Sequence, residues 1–187
     1  MPPDLPGTAP GGHALFVVYW NRSTLVMGGG LHVRPKAICT IGYEGGTVAG
    51  FIRALKDAGV EMVLDIRAAP VSRKKGFSRN QLAAHLTEAG IAYRHLRGLG
   101  TPKRGRDAAR AGDSETFECI FQEHMKEPEA VLDLGEAIAL AKAQPVCLLC
   151  LERDPEHCHR LIVGNRMVGE TGQKLRHLFV EQAAHHN

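Results

Sequence analysis

Along the chain, short apolar runs alternate with segments whose apolar residues recur at helical spacing. Residues 37–41 form an apolar run ending at Gly42, and residues 60–66, 91–95, 145–150 and 175–180 form four more, which predicts five strands. Between the first two runs, Thr47 is placed to cap a helix to about residue 58, with Phe51, Ile52 and Leu55 on one face and Gly59 as the stop. Ser78-x-x-Gln81 has the form of a capping box, and Leu82 and Leu86 carry the stripe of a second helix as far as Gly90. Residues 97–112 are basic and lack periodicity, which predicts a loop. Residues 113–125 and 129–143 predict two further helices, and Asp154-Pro155 reads as an N-cap with Pro in the first turn of a last helix to about residue 170. Strands alternating with helices predict an α/β fold: a mostly parallel sheet with helices on both faces, in Rossmann-like layers.

Residues 1–36 do not share this pattern. They are rich in Pro and Gly, with one short apolar stretch at 15–20 and no basic region ahead of it, so they do not read as a signal peptide. They are expected to be a poorly ordered extension or the product of a start placed too early, Met27 being the alternative start, and residues 37–187 are expected to be a single domain. The full length of 187 residues and the 44% hydrophobic content suit one folded domain with an adequate core. No apolar run approaches the roughly 18 residues that a membrane span needs. The five cysteines are odd in number and the chain is long for a disulfide scaffold, so they read as thiols in a reducing cytoplasm.

In a parallel sheet the ligand crevice lies at the carboxyl ends of the strands. The residues following the predicted strands there are Tyr43 and Glu44, Asp65 and Arg67, His95, and Cys150 and Glu152. Asp65 and Arg67 are two apart and so share a side of their strand, as an ion pair or as an anion-binding Arg fixed by its carboxylate. Cys158-His159-Arg160 falls near the start of the last helix, where free N–H groups and the dipole attract anions and favour a thiolate. Cys147 and Cys150, three apart on a strand, face opposite sides and do not share a metal. No motif demands a cofactor; a divalent metal is left open only as zinc on Cys150, Glu152, Cys158 and His159. Gly42-x-x-Gly45-Gly46 lets a backbone approach a phosphate but lacks the Lys of a P-loop.

Several of these residues recur together. The order Thr40-Ile41-Gly42-Tyr43, Asp65-Ile66-Arg67-x-x-Pro70, Ser72-Arg73, Gly76-Phe77, Tyr93-x-His95, Leu99-Gly100, Leu148-Leu149-Cys150-x-Glu152 and Cys158-His159-Arg160 resembles the bacterial and archaeal domain-of-unknown-function family 488. The resemblance spans about residues 37 to 180. It implies an α/β fold with an active-site cleft, places Arg73 near that cleft, and carries no reaction with it. The Asp-x-Arg strand end is also faintly similar to rhodanese domains, whose cysteine position this chain does not match.

The net charge of +3 conceals an asymmetry. Between Ile66 and Arg110 eleven Lys and Arg residues face only Glu88 and Asp107, so this segment carries +9 and the rest of the chain −6. That points to a phosphate-bearing partner, a nucleotide or nucleic acid. The leading expectation is a hydrolase or transferase on a phosphate-bearing substrate. Tyr43, Arg67, Arg73 and Arg160 would hold it, Asp65 or Glu152 would act as base, and His95 or His159 would donate the proton. A non-catalytic nucleic-acid-binding module using Lys74, Lys75, Lys103, Arg104 and Arg106 is the second, and sulfur or thiol chemistry through Cys150 or Cys158 the third. Only Phe77 and Tyr93 offer aromatic rings in the basic segment, which disfavours single-strand base stacking.

Overall fold

The computed structural model describes residues 37–182. The expectation of a poorly ordered extension over residues 1–36 lies outside them. Five strands, β1 (Ala37–Gly42), β2 (Met62–Asp65), β3 (Ala92–His95), β4 (Val146–Cys150) and β5 (Lys174–Phe179), form one sheet in the order β3-β2-β4-β1-β5. Every pairing is parallel. Six helices cover it: α1 (Val48–Asp57), α2 (Arg79–Glu88), α3 (Lys103–Arg110), α4 (Ser114–His124), α5 (Pro128–Ala143) and α6 (His159–Thr171). Among the described residues no helix is long and apolar enough to cross a membrane.

The strands are apolar on both sides because both faces are covered. Cys39, Ile41, Val63, Cys147 and Leu149 pack under Phe51 and Leu55 of α1 and Leu82 and Leu86 of α2. The alternate residues Ile38, Leu64, Val146 and Leu148 pack under Phe121 of α4, Ala130, Ala137 and Ala141 of α5 and Val163 and Met167 of α6. Cys147 thus lies on the opposite face from the cysteine three positions on, as strand alternation requires. The register aligns Gly42 with Cys150 and with Phe179, and Asp65 with His95 and Leu149, so the carboxyl ends of all five strands form one edge.

Three local expectations are corrected. Residues 97–112 are not a loop. A 3-10 turn, Arg97–Leu99, leads into α3, whose helical form rests on the Lys103–Asp107 and Asp107–Arg110 ion pairs rather than on an apolar stripe. The capping box at Ser78 is not made: the Ser78 hydroxyl donates to the Ser72 carbonyl, and Gln81 accepts from the Gly76 N–H. Asp154 does not cap a helix; it accepts from Glu156 N–H in a turn, and α6 begins four residues later than that cap requires, with Cys158 as its N-cap. Thr47 does cap α1, accepting from Gly50 N–H at 3.1 Å, and Asp113 caps α4.

Candidate active site

A cleft of about 620 Å³ opens at the carboxyl edge of the sheet. β4 delivers Cys150 to it, and the turn after β4 carries Glu152 and returns to Cys158 and His159 at the start of α6. That turn is anchored from two sides. Leu151 accepts from Glu44 N–H at 2.9 Å, while Arg153 donates its backbone N–H to Glu44 and its guanidinium to the Val180 carbonyl. Gly42 is what lets it lie so close: a Cβ there would stand 1.7 Å from the Glu152 carbonyl oxygen. Gly100 plays the same part on the far wall, where a Cβ would fall 2.2 Å from the Ala68 nitrogen.

On the floor, Glu152 Oε2 accepts from Cys150 Sγ at 2.8 Å and from Cys158 Sγ at 3.1 Å. His159 Nδ1 lies 3.7 Å from Cys150 Sγ and 3.8 Å from Cys158 Sγ. Its Nε2 is 3.0 Å from the Ile66 carbonyl, an acceptor only, so Nε2 carries a proton and donates it there. The four donor atoms all lie within 4.8 Å of one another. All five cysteines are unbridged, and Cys150 and Cys158 are neighbours.

The floor is electrostatically divided. Burial, reinforced by Cys158 and Glu152, pushes the Cys150 thiol well up. Burial opposes ionisation of Cys158 as well, but the hydrogen bond from Cys150 and the charges of His159 and Arg160 outweigh it and take this thiol well below its usual range. Burial and the Cys158 charge raise the Glu152 carboxyl. His159 is raised although burial works against it, because Cys158 and the Ile66 carbonyl favour its charged form.

Behind the floor stands a buried ion pair. Arg67 donates from Nε at 2.8 Å and Nη2 at 2.6 Å to the two oxygens of Asp65, and from Nη1 to the Tyr43 hydroxyl and the Phe77 carbonyl. Tyr93 donates to Asp65 at 2.7 Å, and burial with the Asp65 charge holds its phenol protonated well above the usual range. Tyr43 stacks on Phe77 with centroids 4.4 Å apart. On the opposite wall α3 contributes Arg106 and Arg110, and α4 contributes Phe117.

Of the residues expected at the site, Tyr43, Arg67, Cys150, Glu152, Cys158 and His159 line the cleft. Asp65 is fully buried behind Arg67, and His95 bonds to the Arg67 carbonyl, so both brace the site from outside the lining. Arg160 is not turned to an anion: buried, it donates to the Glu152 and Arg153 carbonyls and ties the turn to α6. Arg73, Lys75, Lys103 and Arg104 are exposed and Lys74 is half-buried, all outside the lining; of the expected nucleic-acid residues, only Arg106 reaches the cleft. Sequence reasoning missed Arg110, Phe117, Thr101 and His157. The signal for the first was the i, i+4 spacing of Arg106 and Arg110, which counts only once α3 is known to be a helix.

The family model for "Domain of unknown function DUF488" matches residues 47–167, about two thirds of the chain. The chain belongs to this family. The match runs from the cap of α1 into α6 and includes Cys150, Glu152, Cys158 and His159, while β1 with Tyr43 and β5 lie beyond it. No curated protein and no solved structure matches the chain.

Proposed function

We propose that this DUF488 protein is an enzyme, a hydrolase or transferase, that takes a phosphate-bearing small molecule into the cleft. One observation carries the reading: the cationic wall of Arg106 and Arg110 and the reactive floor of Cys150, Glu152, Cys158 and His159 share a single cleft. Arg106 has one N–H engaged by the Thr101 carbonyl, and Arg110 meets only the exposed Asp107, so both keep donors for an anion. Phe117, Val71, Ala109 and Leu151 supply the apolar lining for the rest of the ligand. The volume suits a molecule of nucleotide size. Arg67 orients Tyr43 and shapes the wall rather than supplying the main anion grip, because Asp65 already neutralises it. Five unbridged thiols suit a reducing compartment such as the cytoplasm.

Isothermal titration with AMP and with inorganic phosphate, at low salt, tests the reading. AMP is expected to bind, and Arg110→Ala to weaken it by about tenfold, the equivalent of about 1.4 kcal/mol for one charge-assisted contact. Equal binding by the native and Arg110→Ala proteins, or none by either, removes the phosphate assignment.

A further inference from the structure

The floor gathers more than the binding of an anion requires. Two sulfurs, a carboxylate oxygen and an imidazole nitrogen lie within 4.8 Å of one another, and three of the four side chains that bring them there are buried. Such convergence is costly unless something ligates the group, because each donor loses water and competes with its neighbours for the same few protons. The imidazole is also prepared in a particular way. Nε2 donates to the Ile66 carbonyl at 3.0 Å, which turns Nδ1 to the two sulfurs at 3.7 and 3.8 Å. A histidine that ligates through one nitrogen while the other donates to a backbone carbonyl is the usual outer-shell arrangement of a metal site.

A second, separate observation concerns charge. Arg160 is 1% exposed, forms no ion pair among the described residues, and its Nε has no hydrogen-bond partner. Its other N–H groups meet only the carbonyls of Glu152 and Arg153. A buried guanidinium of this kind needs a nearby negative charge. The sulfur and carboxylate groups of the cluster stand near enough to provide it, and with one dication among two thiolates and a carboxylate a single net negative charge still remains in the turn that Arg160 holds. The amino end of α6, which begins at His159, favours the same sign.

We propose that Cys150 Sγ, Glu152 Oε2, Cys158 Sγ and His159 Nδ1 are the ligands of one zinc ion, with Glu152, the least buried of the four, as its cleft-side ligand. Two thiolates with nitrogen and oxygen are a tetrahedral donor set that suits zinc and does not suit magnesium or calcium. Zinc takes the place of the protons held on the two sulfurs and on His159 Nδ1, which pass to solvent; nothing is oxidised or reduced. The ion would sit on the floor where the anionic substrate ends, yet the inference does not rest on the phosphate reading, because the site needs no substrate to fill.

The full-length protein, stripped with chelator under reducing conditions, is titrated with Zn2+ and, as a coloured stand-in, with Co2+. One equivalent per chain is expected, with the visible bands of tetrahedral cobalt and a thiolate-to-cobalt charge-transfer band. X-ray absorption of the zinc form should show two sulfur ligands at about 2.3 Å and two lighter ligands at about 2.0–2.1 Å. Cys150→Ser and Cys158→Ser should each lose stoichiometric binding, while Cys119→Ser, an exposed cysteine outside the cluster, should keep it. Should the serine variants fail to fold, the absorption spectrum of the native protein decides by itself. A shell of nitrogen and oxygen without sulfur overturns the proposal, and so does a reduced native protein that takes up no zinc. Loss of AMP binding with zinc retained would count against the anion reading alone.

Discussion

Asp65 and Arg67 each satisfy the other so completely that removing either charge strands its partner. Asp65 is fully buried and Arg67 nearly so, with two short contacts between them and Tyr43, Phe77 and Tyr93 taking up further donors and acceptors. Breaking a buried pair from one side costs about 3–5 kcal/mol. Asp65→Asn should therefore lower the urea midpoint by an amount equivalent to about 3 kcal/mol with an unchanged slope, and a loss under about 1 kcal/mol would show that the pair contributes little. The same geometry explains why residue type alone left two readings of these groups open. An aspartate and an arginine two apart at a strand end read equally as an anion grip or a structural brace, and only the Tyr43 and Phe77 partners, 24 and 10 residues away, decide for the brace.

At the level of elements, the strands and most helices were legible because their apolar spacing is set by the faces they bury. What the sequence obscured were features set by local polar competition. Ser78 and Gln81 have the capping-box spacing, but the loop ahead of them offers the Ser72 carbonyl and the Gly76 N–H at hydrogen-bond distance, and the side chains turn there instead. Lys103–Arg110 hides as a helix because only alanines and a glycine break its charged residues. Asp154-Pro155 looks like a helix start and is a turn, its Oδ1 accepting from Glu156 N–H at 2.9 Å. That correction has a measurable side. Loss of a true N-cap costs about 1 kcal/mol, whereas Asp154→Ala, removing an exposed turn contact and an exposed pairing with His157, should change stability by less than about 0.5 kcal/mol in thermal or urea unfolding. The floor cluster was partly legible: Cys150, Glu152, Cys158 and His159 were all candidates, but their mutual approach depends on how far the turn after β4 folds back, which no residue spacing gives.

Across the molecule, the basic segment flanks the cleft from two directions. Arg73, Lys74 and Lys75 follow Val71 on one wall, and Lys103 and Arg104 open the helix that carries Arg106 and Arg110 on the other. A field of this kind should hold duplex DNA weakly whatever the cleft binds, with about four to five phosphates neutralised and a log–log salt slope near −4. Replacing Lys103, Arg104 and Arg106 together by Gln should flatten that slope by about 2.7, as read from fluorescence titrations at several salt concentrations; no binding at low salt would confine the protein to small ligands. The strand order has a consequence of another kind. β4 sits between β2 and β1, so the first two strands of the sheet cannot join until residues 146–150 have been made. Such pairing over long stretches of chain closes large loops before any contact repays them, and it folds slowly. On the ribosome the emerging chain must therefore wait, with β1 and β2 unjoined, for one late strand. The arrival of that strand joins β2 to β1 and delivers Cys150 in the same step, so the reactive floor does not exist in any shorter nascent chain.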